Sequence, residues 1–442
     1  MIRSRAVRPW ARWLPVLALC VGCSETPSAA SARSSAAPAP ALVDGHFTPA
    51  EVRQFVKMRA PSQPPRDSTN EVSGDERAQR MGKALFFDKR LSEHAEVSCA
   101  SCHDPSHGFS VPERLGQGLE PTPRHPPTLL NAAYQRFYDW DGKADSLWMQ
   151  AMRPIESAAE QGFGRTRLVR LLQTDPELRA AYVELFGDFP EALQDTSALP
   201  ERARPMEGDE AHPDALAWAT LREEQRAAID VVFVRALKAI AAYEERLVSL
   251  EAPLDRYIDG LTGEDPTGLG ALTESQKRGL KVFVGAGRCV VCHNGPMLSD
   301  MTFHNLGLGH RDGLTPGDEG RWSGIRELKD SAFNALGPHS AERTGDRAQW
   351  VKFLKRTPEN HGQFRTPSLR NITRTPPYMH GGHFDTLEEV LVFYMSLGEQ
   401  VEAGHREDSL VRADLSPQDR EDLLAFFKAL EGAPLEAQWT TE

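Results

Sequence analysis

Two pentapeptides carry the most specific chemistry of this chain: Cys99-Ala-Ser-Cys102-His103 and Cys289-Val-Val-Cys292-His293. Each is a C-x-x-C-H pattern, the attachment signature of a c-type haem. The spacing has a physical reason. Two thiols reach the two vinyl groups of one porphyrin, and the imidazole that follows reaches the iron. The chain has six cysteines, and the two motifs use every one beyond Cys20 and Cys23 near the N-terminus. Two covalently bound haems are therefore expected, with His103 and His293 as iron ligands. A redox dithiol or a zinc knuckle is the alternative for one copy.

The surroundings of the motifs repeat. Gly82-x-x-x-Phe86 precedes the first and Gly279-x-x-x-Phe283 the second; Pro127-Thr-Leu-Leu-Asn131 and Pro367-Ser-Leu-Arg-Asn371 follow them. From each Asn the register runs on without a gap, pairing Tyr138 with Tyr378, Gly142 with Gly382 and Asp145-Ser146-Leu147 with Asp385-Thr386-Leu387. Such self-similarity marks a duplicated unit. The second copy carries an extra stretch, roughly 308–360, rich in Gly and charge and expected to be a long surface loop.

Eight residues beyond Ser146 and Thr386 the register pairs Pro154 with Tyr394. Residues 386–397 have helical spacing, with Leu387, Val390, Leu391 and Tyr394 on one face. A tyrosine there could project its phenolic oxygen onto the second haem, whereas Pro154 has no donor atom. Met395 is the neighbouring alternative, about 100° round the helix, and a tyrosine that merely packs is the structural alternative. One iron would then be closed by two protein ligands and transfer electrons, while the other keeps an open sixth position for a small molecule.

The elements that must position these groups read as helices. Ile229, Phe233, Leu237, Ile240, Tyr243, Leu247 and Leu250 follow three-four spacing. Thr273 with Gln276 resembles a capping box before the second motif, and Ser416-Pro417 opens a last helix with Leu423, Leu424, Phe427 and Leu430 on its apolar side. No strand-like alternation persists. The fold class is all-α: two cytochrome c-like haem domains in tandem, duplicated, with long loops.

The 442 residues exceed one hydrophobic core. The net charge of −12 excludes nucleic acid as the main partner. Residues 1–22 read as an export signal, with Arg3, Arg5, Arg8 and Arg12 before the apolar run Leu14 to Gly22. Val21-Gly22-Cys23 resembles a lipoprotein cleavage site, so the chain is expected on the periplasmic side of a bacterial envelope, its only membrane attachment a lipid at Cys23. An ordinary cleaved signal is the alternative. Residues 23–70 are expected to be a flexible tether, 71–250 the N-terminal haem domain and 251–442 the C-terminal one.

Leu85-Phe86-Phe87-Asp88-x-Arg90-Leu91, Ser98 to His103, Trp140-Asp141-Gly142-Lys143-Ala144-Asp145 and Pro377-Tyr378-Met379-His380 resemble bacterial di-haem cytochrome c peroxidases and MauG. The resemblance covers roughly residues 75–430 and is strengthened by Ala242-Tyr243-Glu244 and Leu254-Asp255-Arg256-Tyr257. It implies that the N-terminal haem reacts with hydrogen peroxide while the C-terminal haem transfers electrons. It further implies Trp140 as the tryptophan between the haems, Gln150 as the distal glutamine, Glu160 as the catalytic glutamate and Tyr394 as second axial ligand. The latter position is Met in the peroxidases and Tyr in MauG-type enzymes.

Two departures matter. Where the peroxidases carry a distal His on a loop, the match gives Gln117, with His107 and His125 nearby. Where the family holds calcium between the haems, the carbonyl positions persist as Thr375 and Pro377, but His125 replaces the Asn. Imidazole is a poor ligand for a hard cation, which leaves calcium occupancy open. Three functions follow from these readings. They are a peroxidase supplied by a small redox protein (a cytochrome c or cupredoxin), a MauG-like oxidase that modifies a partner protein, and a non-enzymatic di-haem electron carrier.

Overall fold

Helix follows helix along the chain, as the three-four spacing requires. The computed structural model describes residues 41–206, 208–308, 317–398 and 403–441. The first half contains α1 (Pro49–Phe55), α2 (Glu76–Phe87), α3 (Cys99–Cys102), α4 (Leu147–Glu156), α5 (Arg165–Thr174), α6 (Pro176–Phe186), α7 (Pro213–Ala219) and α8 (Glu223–Glu244). The second contains α9 (Pro253–Thr262), α10 (Glu274–Val284), α11 (Arg321–Asp330), α12 (Asp346–Phe353), α13 (Leu387–Ser396) and α14 (Pro417–Lys428). Among the described residues the sheet content is one antiparallel pair, β1 (Phe303–His304) with β2 (Phe364–Arg365). None of the described helices is long and apolar enough to cross a membrane. The export signal 1–22 and Cys23 lie outside the described residues.

The expected capping box forms, and so does the expected start of the last helix. Thr273 Oγ1 accepts from the Gln276 amide while Gln276 accepts from the Thr273 amide, opening α10. Ser416 and Asp419 do the same at the start of α14, where Pro417 takes the first helical position.

Two large apolar cores form among the described residues. One gathers α2, α4, α5, α6 and α8 around Phe86, Trp148, Leu168, Phe233 and Leu237; the other gathers α9, α10 and α14 around Tyr257, Phe283 and Phe426. Each repeated glycine marks a close helix crossing. A Cβ on Gly82 would lie 1.8 Å from the Ala239 carbonyl oxygen, and one on Gly279 would lie 2.0 Å from that of Asp422. Only the missing side chain lets α2 meet α8 and α10 meet α14 so closely.

Two expectations need correction. The flexible tether does not extend over residues 42–70. Phe47, Phe55 and Met58 are wholly buried in the second core, and Arg370 Nη2 donates to the Met58 carbonyl at 2.8 Å. These widely spaced apolar residues form one face only once α1 winds them together. Nor is 308–360 simply a surface loop. It contains α11 and α12, whose Leu328 and Val351 are buried in the first core, a long-range contact that Gly-rich, charged composition conceals. Residues 309–316 of it lie outside the described residues.

Candidate haem-binding site

At each C-x-x-C-H motif the chain turns tightly and aims its imidazole the same way. His103 Nδ1 lies 3.1 Å from the Phe109 carbonyl oxygen, and His293 Nδ1 lies 3.0 Å from that of Leu298. A ring nitrogen that donates to the backbone fixes the tautomer and leaves Nε2 free as a ligand. Burial lowers both histidine pKa values, keeping them neutral and able to bind metal. Cys99, Cys102, Cys289 and Cys292 form no disulfide.

The second motif faces a cavity of about 230 Å³ whose walls include Cys289, Cys292, His293, Phe283, Leu391 and Tyr394. Two thiols, an imidazole with a free nitrogen and an apolar wall fit a covalently attached haem. Tyr394 comes from α13, whose N-cap Thr386 accepts from the Glu389 amide at 3.2 Å. Its phenol lines the cavity, raised in pKa chiefly by burial. Met395 packs instead against the second core.

Around the first motif the equivalent helix is α4. Its N-cap Ser146 accepts from the Met149 amide at 3.2 Å, in the repeat position of Thr386. Asn131 and Asn371 share a left-handed backbone, φ 62° in both, and the Tyr138–Ala144 bridge recurs as Tyr378–Phe384. With the frame matched this closely, Pro154 stands inside α4 where Tyr394 stands in α13. Gln150 shares the face of Pro154, four residues away.

Glu160 lies within electrostatic reach of Cys99 and Cys102. Burial raises its pKa, Asp139 adds to the shift, and Lys143 and Arg153 oppose it. The loop that carries Gln117 lies against it, with Leu119 N donating to Glu160 O at 2.9 Å and Glu120 N to Ala159 O at 2.8 Å. A Cβ on Gly118 would meet the Ala159 carbonyl at 2.5 Å. Gln117 itself is exposed and donates to the Leu115 carbonyl. The histidines near it are engaged elsewhere: His107 Nε2 lies 3.1 Å from the Pro376 oxygen.

His125 is buried, with its ring nitrogens 3.0 Å from Ser110 Oγ and 3.2 Å from the Glu113 oxygen. Burial lowers its pKa to about 4. A neutral imidazole with both nitrogens occupied does not fit calcium at that place.

Trp140 lies at the second motif's cavity and bonds to both halves of the chain. Its indole N–H donates to the His125 carbonyl at 2.7 Å, its own carbonyl accepts from the Arg365 amide at 2.8 Å, and it also lines the second motif's cavity. Its turn is braced by Arg321, whose Nη1 donates to Asp141 O at 3.0 Å and Gly142 O at 2.7 Å.

Residues the sequence did not single out also meet here. His304 lies 2.7 Å from carboxylate oxygens of both Asp300 and Glu407, and these bonds push its pKa up to about 11. Arg365 reaches the same cavity from β2. The repeat register, extended back two residues from Pro127 and Pro367, pairs Arg365 with His125; that was the available signal.

A family model described as di-haem cytochrome c peroxidase matches residues 76–263. The cytochrome-c peroxidase IdrP2 of Denitromonas iodatirespirans is 31% identical over 358 residues, 80% of this chain and 82% of that protein. The methylamine utilization protein MauG of Methylorubrum extorquens is 30% identical over 380 residues, 86% and 84% of the two chains. Among solved structures, a MauG-like protein associated with microbial copper homeostasis superposes with TM-score 0.59 at 25% identity, covering 87% of this chain and 97% of that one. The diheme peroxidase BthA of Burkholderia thailandensis shares the fold, with TM-score 0.57 at 21% identity over 85% and 95%. Paired thiols, oriented imidazoles and relatives matched along most of their length agree: the chain belongs to the di-haem cytochrome c peroxidase and MauG family.

Proposed function

We propose that the protein is a di-haem c-type peroxidase. It reduces hydrogen peroxide at an open N-terminal haem held by Cys99, Cys102 and His103, in a domain spanning 71–250. Cys289, Cys292, His293 and Tyr394, within 251–442, would hold a C-terminal haem that supplies electron transfer from a small redox protein, a cytochrome c or cupredoxin. The observation that carries this reading is the contrast between α4 and α13: matched caps and register, with Pro154 in one and Tyr394 in the other.

Haem held by Cys99, Cys102 and His103 would supply the peroxide chemistry, and haem held by Cys289, Cys292, His293 and Tyr394 would supply electron transfer. The chain's own groups do the rest. The Phe109 carbonyl holds His103 by its Nδ1 and so sets which nitrogen faces the metal. Glu160, biased by burial toward its protonated form, carries a proton from the near to the far oxygen of peroxide. Gln150 hydrogen-bonds the substrate. Trp140 lies on the electron path between the halves. The acidic chain works on the periplasmic side, anchored by lipid at Cys23 after loss of residues 1–22.

A second reading, a MauG-like oxidase that uses peroxide to modify a partner protein, is favoured by one observation. Tyr394 rather than Met395 lines the cavity, and a hard phenolate does not create the high-potential haem that Met does. Mixing the ferric holoprotein with peroxide and then with a reduced small cytochrome tests both. Prompt reaction and rapid cytochrome oxidation support the peroxidase; prompt reaction with stalled turnover supports the oxidase. A protein that binds neither peroxide nor cyanide is the plain electron carrier, and both enzyme readings fail.

A further inference from the structure

The cations around the second cavity are not equally satisfied. Arg370 makes a bidentate pair with Asp255 at 2.8 and 3.0 Å. His304 sits between two carboxylates. Arg288 is exposed to solvent.

Arg365 differs from all of these. It is 4% exposed and, among the described residues, has no carboxylate within 4.0 Å. Nε donates to the Asp139 carbonyl at 3.3 Å, and Nη1 reaches the Thr366 carbonyl only at 3.5 Å. Nη2 has no partner among the described residues. Burial brings its pKa down to about 10, which still leaves it charged at neutral pH. An unpaired buried guanidinium is costly, and its planar fork of donors matches a carboxylate.

The repeat sharpens the point. At the equivalent position the first half has His125, buried and neutral with both nitrogens occupied. The second half therefore holds a charge that the first does without, on a wall of the cavity that fits a haem. A porphyrin of this type brings two propionates, on the edge away from its thioether bonds.

We propose that Arg365 is the counter-ion of a propionate of the C-terminal haem and thereby raises that haem's reduction potential above what its ligands alone would set. A positive charge held near the ring favours the reduced metal, and paired with the propionate it offsets that group's negative charge. The inference rests on the two-haem reading. Arg365 acts here through the haem's surroundings and is a positioning and tuning residue.

The test uses purified holoprotein with Arg365→Gln and Arg365→Lys. Mass spectrometry of the denatured chains counts covalent haems, and a redox titration followed by electron paramagnetic resonance tracks the low-spin and high-spin ferric signals separately. The expected result is two haems in every form. At a fixed ambient potential the reduced-to-oxidised ratio of the low-spin haem falls about tenfold in the Gln variant, equivalent to 59 mV for one electron. The Lys variant stays within about threefold of the parent, and the high-spin haem does not move. Fewer than two haems in the parent overturns the two-haem reading, and the proposal with it. Two haems with an unmoved low-spin potential, or a Lys variant that falls as far as Gln, overturns the proposal alone.

Discussion

Glu160 shows what a sequence conveys about a single side chain and what it omits. Its spacing from Trp140 was visible through the resemblance. The burial that raises its pKa was not, because Gly118 and Leu119 close over it from a loop some forty residues earlier. A carboxyl group whose pKa is raised by burial can both give and take a proton during peroxide cleavage, whereas an amide can do neither. Glu160→Gln is therefore expected to slow peroxide consumption by roughly 10²–10⁴-fold while leaving the haem content, measured by pyridine haemochrome, unchanged. A variant that turns over peroxide at the parental rate would remove Glu160 from the mechanism. His304 was illegible for a different reason. Nothing in its neighbourhood announces Glu407, a hundred residues on, as the partner that completes its charge.

At the scale of helices, the repeated G-x-x-x-F looked slight in sequence and is explained by packing. Gly82→Ala or Gly279→Ala drives a methyl group into a backbone oxygen of the crossing helix, at 1.8 and 2.0 Å. Each is expected to destabilise by on the order of 3 kcal/mol, read as a fall in the guanidinium midpoint. Gly270→Ala has no atom within 4 Å to meet and should leave the midpoint nearly unchanged. The end of α8 supplies a pH dependence. Burial pushes Glu244 up to about 8 and Glu245 up to about 7, so between about pH 4.5 and 8 the folded chain binds more protons than the unfolded one. Stability from these groups is fully present at the acid end of that window and is lost as pH rises through it. The melting temperature should fall from pH 5 to pH 8, by an amount equivalent to roughly 1–3 kcal/mol. Glu244→Gln should flatten the slope above pH 7, and an equally steep slope in that variant would locate the titrating group elsewhere.

For the whole molecule, the repeat in the sequence was legible and the way the two halves interlock was not. Periodicity records neighbours three or four residues apart, so it missed α1 packing on the second core and α12 packing on the first. The repeated asparagines show how the halves share one joint. Asn131 Nδ2 and Asn371 Nδ2 both donate to the Ser249 carbonyl, at 2.9 and 3.1 Å. Asn131 Oδ1 accepts from Ser249 N, and Asn371 Oδ1 accepts from Gly432 N, each at 2.8 Å. Both asparagines are left-handed, so Asn→Gly removes the amide without straining the backbone. Either single variant leaves a buried amide N–H unpaired but still leaves the Ser249 carbonyl one donor, and should cost about 2 kcal/mol. The double variant strips that carbonyl of both donors. It should therefore cost about 1 kcal/mol more than the two single losses together, an excess beyond the error of additive, independent sites. Guanidinium midpoints of the four forms close this cycle. Strict additivity would mean that each asparagine serves only its own half and that Ser249 is not the joint between them.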